Sequence, residues 1–509
     1  MSEVGTKVSG ERAGGWIYHT SPQTLVAFLC VAQISIWTLV PLLAGRSLPL
    51  DVVSDGLAWG HEWQWGYFKH PPLPSWEVEA FFDAFGDAGT YLLSQITVGL
   101  TYLFVFLLGR ELMPPRWAAA GTLLTACVYY FSVPTPEFNH NVAQMPLWAA
   151  AILAYYNAIT ARTLRWWLLL GVVSGLALLT KYASGILLIV IFAHLLSAPQ
   201  RRAMFQSSGP YVAVVVCLLI VIPHVLWLVH NHFSTLTYAQ KRAGQTHGIA
   251  FRIIAPLRFL LSQLLDISPA LLAAAIAGFL GRESLTKIAA DAKFRFLATF
   301  AFGPALLTAA LSLVTGLGLR DMWAAPMWSL TGLAIVYASQ NRWPRVNWSR
   351  LVACVCAIFI LMPLAYILST SIVPAWRGRP SRTQWPDREM ASAFGDAYRN
   401  ETGQPLRIVA ADGWLAGLVA MRDPLRPSVF TDGDMREAPW ITPQKLAEDG
   451  ALVLWRGDGP PPARLKTLKG LKVIGTKDFS WPDSPRVAPL AIGWGIIRPQ
   501  QRTVGRSVP

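Results

Sequence analysis

About eleven apolar stretches, each long enough to cross a hydrocarbon core of ~30 Å, occupy the first three-quarters of the chain. They run at 23–45, 91–109, 117–134, 142–160, 166–181, 183–199, 211–230, 257–280, 296–317, 322–340 and 351–373. Such a chain has few structural options, because backbone polar groups in lipid must find their partners within the same segment. The expected fold is a polytopic α-helical membrane protein. The first stretch lacks a small-residue cleavage site and follows a charged, Ser/Gly-rich lead, which predicts an uncleaved helix rather than a signal peptide.

Composition supports this reading. Apolar residues make up 53% of the chain and charged residues 14%, with a mean hydropathy of +0.39. The net charge of +14 does not indicate nucleic acid, since the basic residues sit at the ends of apolar segments, where topology signals and anionic headgroups account for them. Cys30, Cys127, Cys217, Cys354 and Cys356 all fall inside apolar stretches and read as packing residues rather than a disulfide framework.

With a cytoplasmic N-terminus, the loops on that side carry about twice the Lys and Arg of the opposite short loops, as the positive-inside rule requires. An odd number of spans then places the chain after 373 outside, in the periplasm of a cell inner membrane. Residues 374–509 change to Pro, Arg, Asp and Gly, with short apolar runs LRIVAA (406–411), ALVLW (451–455) and LKVIG (471–475). These runs predict strands of a small soluble α/β domain. The division expected is a transmembrane domain over 1–373 and a periplasmic domain over 374–509.

The outer loops hold the chemistry. The first, about 46–90, contains LDVVSDGLAWGHEWQWGYFKHPPLPSW from Leu50 to Trp76. It combines Asp51 and Asp55, Glu62, Lys69, His70, the rigid Pro71-Pro72, and Trp59, Trp63, Trp65 and Trp76. A helix over Asp51–Trp59 sets the two aspartates on one face, with the tryptophans at the membrane interface. Charges packed among aromatics there need partners or a water-filled cavity, which points to a binding site. A second outer stretch, 231–252, carries Tyr238, Lys241, Arg242 and His247. Three shorter features converge on the same mouth: Glu137 in PTPEFNHN, Lys181 in LTKYASG, and Arg320 with Asp321 in GLRDMWAAP. Singly these are a loop acid, a snorkelling lysine and an interfacial ion pair; together they describe a cavity with carboxylates for proton transfer and cations for a phosphate.

The set formed by an acid soon after the first span, then GYFKHPPL, then TPE, then GLALLTKYASG resembles the bacterial branch of the dolichyl-phosphate-mannose protein mannosyltransferase family, over about residues 20–330. That family has the GT-C glycosyltransferase fold and includes the lipid A aminoarabinose transferases. The resemblance implies an acid/base carboxylate in the first outer loop, at Asp51 or Asp55, and a second-loop acid at Glu137. It matches the positions that hold the lipid phosphate to Tyr67 and His70, with Lys69 able to carry the charge. Lys181, Arg242 and Arg320 are the other expected phosphate contacts. The implied reaction is inverting transfer of a sugar from a polyprenyl-phosphate donor to lipid A, another envelope glycolipid or a protein. A carboxylate deprotonates the acceptor hydroxyl and a cation stabilises the released phosphate. The candidate loop acids Asp51, Asp55, Glu62 and Glu137 lack the close D-x-D spacing of a metal–nucleotide site, so no obligatory metal or other cofactor is expected. The rivals are a transporter or lipid-sugar flippase, which would place its charges at the membrane midplane, and an assembly scaffold without catalysis.

Overall fold

The computed structural model describes residues 19–243, 248–281, 288–482, 484 and 486–500. Among these, six helices are long and apolar enough to cross a membrane: Pro22–Ala44, Asp87–Leu112, Gly209–His230, Ile249–Ala277, Ala292–Thr315 and Trp348–Trp376. Leu164–Thr180 and Ser184–Ser197 are shorter apolar helices. Before these two in the chain, His140–Ala161 begins at Asn139, whose side chain accepts from the amides of Asn141 and Val142 and so satisfies two of the free N–H groups at the helix start. Helix Gly209–His230 leaves Val214, Leu218 and Leu226 exposed, which is stable only where the surrounding solvent is hydrocarbon.

Two apolar stretches expected as single helices are broken. Residues 117–134 divide into the helix Pro115–Thr125 and a 3₁₀ turn Tyr129–Phe131. Residues 322–340 divide into a 3₁₀ segment Asp321–Trp328 containing Pro326 and the helix Thr331–Ala338. The interrupted backbone finds partners in its neighbour: Tyr130 donates to the Asp321 carbonyl at 2.7 Å and Thr125 to the Ser329 carbonyl at 3.1 Å. Irregular backbone survives at membrane depth only when it is re-satisfied in this way. Gly332 permits the approach, since a Cβ there would run into the Gly121 carbonyl.

The C-terminal unit contains a five-stranded sheet in the order β2-β1-β3-β5-β4, with β1 Ile408–Ala411, β2 Ser428–Thr431, β3 Ala451–Arg456, β4 Leu471–Phe479 and β5 Leu490–Ile497. β1 runs parallel to β2 and β3, while β5 runs antiparallel to β3 and β4. The three runs expected as strands form β1, β3 and the first half of β4. Helix Gly413–Arg422 connects β1 to β2 and also joins this unit to the bundle. It lies on the first loop so closely that a Cβ on Gly417 would sit 2.7 Å from Val53.

Two arginines fasten that contact. Arg422 donates to both oxygens of Asp87 at 2.7 and 2.8 Å and to Asp387 at 2.9 Å. Arg426 reaches both oxygens of Glu79 at 2.8 Å, and His61 meets the same carboxylate at 3.0 Å. The sheet unit is thereby held over one end of the helix bundle.

Candidate active site

The segment after the first helix does not form the regular helix expected over Asp51–Trp59. Val52–Leu57 is a π-helical turn, followed by a short α-helical piece Ala58–Gly60. Its inward side chains Val52, Val53 and Leu57 are buried, and Leu50, Asp51, Ser54 and Asp55 line a cavity of about 500 Å³. Both aspartates therefore face one space, although the regular helix on which their shared face was expected is not formed.

Their environments differ. Asp55 is paired with Lys69 at 3.2 Å and accepts from Ser54 at 3.2 Å. Asp51 has no such ion pair among the described residues. Its backbone N–H donates to Glu137 Oε1 at 3.0 Å, which ties the second loop to the first. Burial raises the Asp51 carboxyl to about 7, and the charges of Glu137 and Asp55 add to this; Lys69 and a hydrogen bond from the Asn139 side chain work against it. A carboxyl titrating near neutrality is suited to accept a proton and give it up again.

Lys69 is placed by the GYFKHPPL turn. The Tyr67 amide donates to the His70 carbonyl at 3.0 Å, reversing the chain, and Pro71-Pro72 leads directly into helix Leu73–Phe85. The Lys69 ammonium sits over the Trp59 and Phe68 rings at 5.4 and 5.2 Å. Burial opposes its charge, but Asp55 and more distant Asp51 leave its pKa raised overall, so it stays cationic at neutral pH.

The other expected phosphate contacts are distributed differently. Tyr67 is fully buried, stacked on Trp59, and donates its hydroxyl to the Trp59 carbonyl at 2.8 Å, so it holds the loop rather than lining the cavity. His70 stacks on His140 with ring centroids 4.0 Å apart. Lys181 is in the turn after helix Leu164–Thr180, donates to Asn141 and lies 5.5 Å from the Trp323 ring centroid. It does not line the cavity, though the charge of Asp51 reaches it. Arg320 is exposed and lines neither this cavity nor its neighbour. Arg242 belongs to helix Ser234–Ala243, and its side chain lies outside the described residues.

The opposite wall was not found in the sequence reading. It comes from the C-terminal unit: Asp412, Trp414, Asp432, Glu437, Arg456 and Arg464. Asp412 directly follows β1, Asp432 directly follows β2, and Arg456 ends β3, so adjacent parallel strands deliver all three to one edge. Ligands of open α/β sheets gather at the carboxyl ends of strands. The runs IVAA-Asp, SVFT-Asp and ALVLW-Arg carry that signal once the strands are paired. A second cavity of about 640 Å³ adjoins the first through Phe68, Tyr238, Glu437 and Arg464 and continues along His230, His232 and Arg436.

Comparison with known proteins agrees with this architecture. Residues 69–227 match the family model described as dolichyl-phosphate-mannose-protein mannosyltransferase. The lipopolysaccharide core galacturonosyltransferase RgtA of Rhizobium johnstonii is 24% identical over 467 residues, spanning 86% of this chain and 90% of that protein. The undecaprenyl phosphate-alpha-4-amino-4-deoxy-L-arabinose arabinosyl transferase 1 of Pseudomonas fluorescens is 33% identical over 168 residues, 31% of this chain and 29% of that protein. The crystal structure of ArnT from Cupriavidus metallidurans bound to undecaprenyl phosphate matches with a TM-score of 0.63 at 13% identity, covering 95% of this chain and 98% of that one. The fold is that of the GT-C membrane glycosyltransferases, and the resemblance read from GYFKHPPL, TPE and GLALLTKYASG holds.

Proposed function

We propose that this GT-C chain is a polyprenyl-phosphate-dependent glycosyltransferase that acts on an envelope glycolipid of the lipid A or lipopolysaccharide class, with Asp51 as its base. The observation that carries the assignment is the division of labour between neighbouring carboxylates. Asp55 is neutralised by Lys69, while Asp51 is free of an ion pair among the described residues and is held near neutrality by burial.

In the proposed step, Asp51 takes the proton of the acceptor hydroxyl as its oxygen forms a bond to the anomeric carbon. The bond from that carbon to the phosphate oxygen breaks, and polyprenyl phosphate leaves with one more negative charge. Lys69 stabilises that charge, which is worth more in a water-poor cavity than in bulk solvent. A single displacement of this kind inverts the anomeric centre. Glu137 holds Asp51 through its backbone, and the part-buried Lys181–Asn141 contact ties helix His140–Ala161 to the turn after helix Leu164–Thr180. No metal is assigned a part in this scheme. The enzyme reading is supported over transport because the charged groups gather at one end of the bundle, between loops and the C-terminal unit, rather than along a midplane path.

The donor phosphate and glycolipid acceptor are those named for the relatives. We place the reaction at the periplasmic face of the inner membrane, with the C-terminal unit as a periplasmic roof. The test is mass spectrometry of envelope glycolipids from cells with and without the chain, paired with transfer by the purified protein from undecaprenyl-phosphate sugars. A glycolipid that loses one sugar residue in the deletion and regains it in vitro is the expected result. Identical glycolipid profiles together with no transfer from any such donor would refute the function.

A further inference from the structure

Four arginines of the C-terminal wall, Arg422, Arg426, Arg456 and Arg464, are not held alike. Arg422 grips Asp87 through both nitrogens of its fork at 2.7 and 2.8 Å, and Arg426 reaches both oxygens of Glu79 through Nη2 at 2.8 Å. Arg456 is shared with Asp412 at 3.4 Å through two of its nitrogens and stacks 5.0 Å from the Trp385 centroid. Arg464 differs. It meets Asp432 at 3.4 Å and Glu437 at 3.2 Å, both through Nη1, and its side chain is 58% exposed.

Charge-assisted contacts of arginine with carboxylate ordinarily close to about 2.7–2.9 Å and use the guanidinium fork in pairs. Arg464 falls short on both counts. Its remaining N–H groups have no protein partner among the described residues, although they sit where the two cavities join. The acids beside it are incompletely neutralised: burial raises both Asp432 and Glu437 despite Arg464. Asp432 also feels the charge of Lys69, so Lys69 from the loop and Arg464 from the roof flank the same part of the space.

We propose that Arg464 binds an anionic group, a carboxylate or phosphate, on one of the two substrates of the transfer, and so fixes that substrate at the junction of the cavities. The inference rests on the transferase reading and adds a specificity residue to it. The chemistry is that of a planar fork with spare donors meeting a planar or tetrahedral oxyanion. Two sources supply such a group: a uronic acid on the donor sugar, or a phosphate on the glycolipid acceptor. Asp432 and Glu437 occupy only Nη1 and offset part of its charge, and the ligand takes the open donors.

The experiment uses the full-length protein in detergent and measures KM and kcat separately. Donors are undecaprenyl-phosphate galacturonate and undecaprenyl-phosphate galactose; acceptors are bisphosphorylated and enzymatically dephosphorylated lipid A. Arg464→Gln is expected to raise KM for the anion-bearing substrate about ten- to hundredfold, with kcat little changed, and to leave its neutral counterpart unaffected. A rise confined to the uronate donor identifies the carboxylate; one confined to the phosphorylated acceptor identifies the phosphate. Asp432→Asn, which loosens the hold on Arg464, moves the same KM in the opposite direction and keeps the test valid if Arg464→Gln does not fold. Unchanged KM in both variants, or equal rises for charged and neutral substrates, overturns the role of Arg464 while leaving the transferase intact. A wild-type protein that transfers from no donor overturns both.

Discussion

Removing the Arg422 side chain tests whether the roof is fastened as the structure indicates. Its guanidinium is 9% exposed and lies between Asp387, 2% exposed, and Asp87, 18% exposed. Arg422→Ala leaves two carboxylates facing each other without their cation. Breaking a buried pair from one side costs about 3–5 kcal/mol, and the partial exposure of Asp87, which Arg388 also reaches at 3.5 Å, places this case near about 3 kcal/mol. That is roughly a hundredfold shift toward the undocked roof. Hydrogen exchange reads it directly: amides of helix Gly413–Arg422 and of the turn Val52–Leu57 should exchange faster together, because each buries the other. Transfer activity should fall with the docked fraction. The cost should shrink as pH falls, since burial already raises the Asp387 carboxyl and the loss of Arg422 raises it further; the protonated acid then no longer needs the cation. In an Asp87→Asn background Arg422→Ala should cost less. Unaltered exchange on both faces, with full activity, would show that the ionic clamp does not hold the roof.

Other outcomes follow from the same geometry. Asp51→Asn should lower transfer by ~10²–10⁴ with donor binding retained, whereas Asp55→Asn, which takes a negative charge from beside Lys69, should tighten donor binding with a smaller loss of transfer, as measured by titration with undecaprenyl phosphate. Lys69→Ala should weaken the same titration about ten- to hundredfold. Because the base must be ionised, kcat/KM should rise with pH through the Asp51 value of about 7; Glu137→Gln removes a neighbouring negative charge and should move that limb to lower pH. A topology reporter fused after Pro374 should be active only outside the cytoplasm, and one in the 199–208 loop only inside.

What could be read in the sequence was local. The GYFKHPPL turn announces itself because prolines and the residues they constrain are adjacent, and the placement of Lys69 over Trp59 follows from that turn. Asp51 and Asp55 were legible as a pair, but not which of them is free, since that depends on where Lys69 points. Tyr67 matched a phosphate-binding position, yet its hydroxyl is spent on the Trp59 carbonyl, a contact that spacing does not disclose. The roof was not legible because Asp412, Asp432 and Arg456 are brought together by strand order alone, and the short strand Ser428–Thr431 that orders two of them has no alternation to mark it. The breaks at 126–134 and 321–330 escaped for a related reason: hydropathy measures whether a segment tolerates lipid, not whether its neighbour offers hydrogen-bond partners.

The π-helical turn Val52–Leu57 bears on how such a site changes over time. Its backbone closes from the Ala58 amide to the Val53 carbonyl, and a turn of this width is an α-turn that has gained one residue. Losing a residue here would tighten the turn and swing Asp51, with its tether to Glu137, by about 100° relative to Asp55 and Lys69. In the proposed reaction, loop length as well as residue identity would therefore set which carboxylate meets the acceptor. A single-codon insertion or deletion in this turn would then change the angle between the proposed base and the ion-pair partner without altering either aspartate.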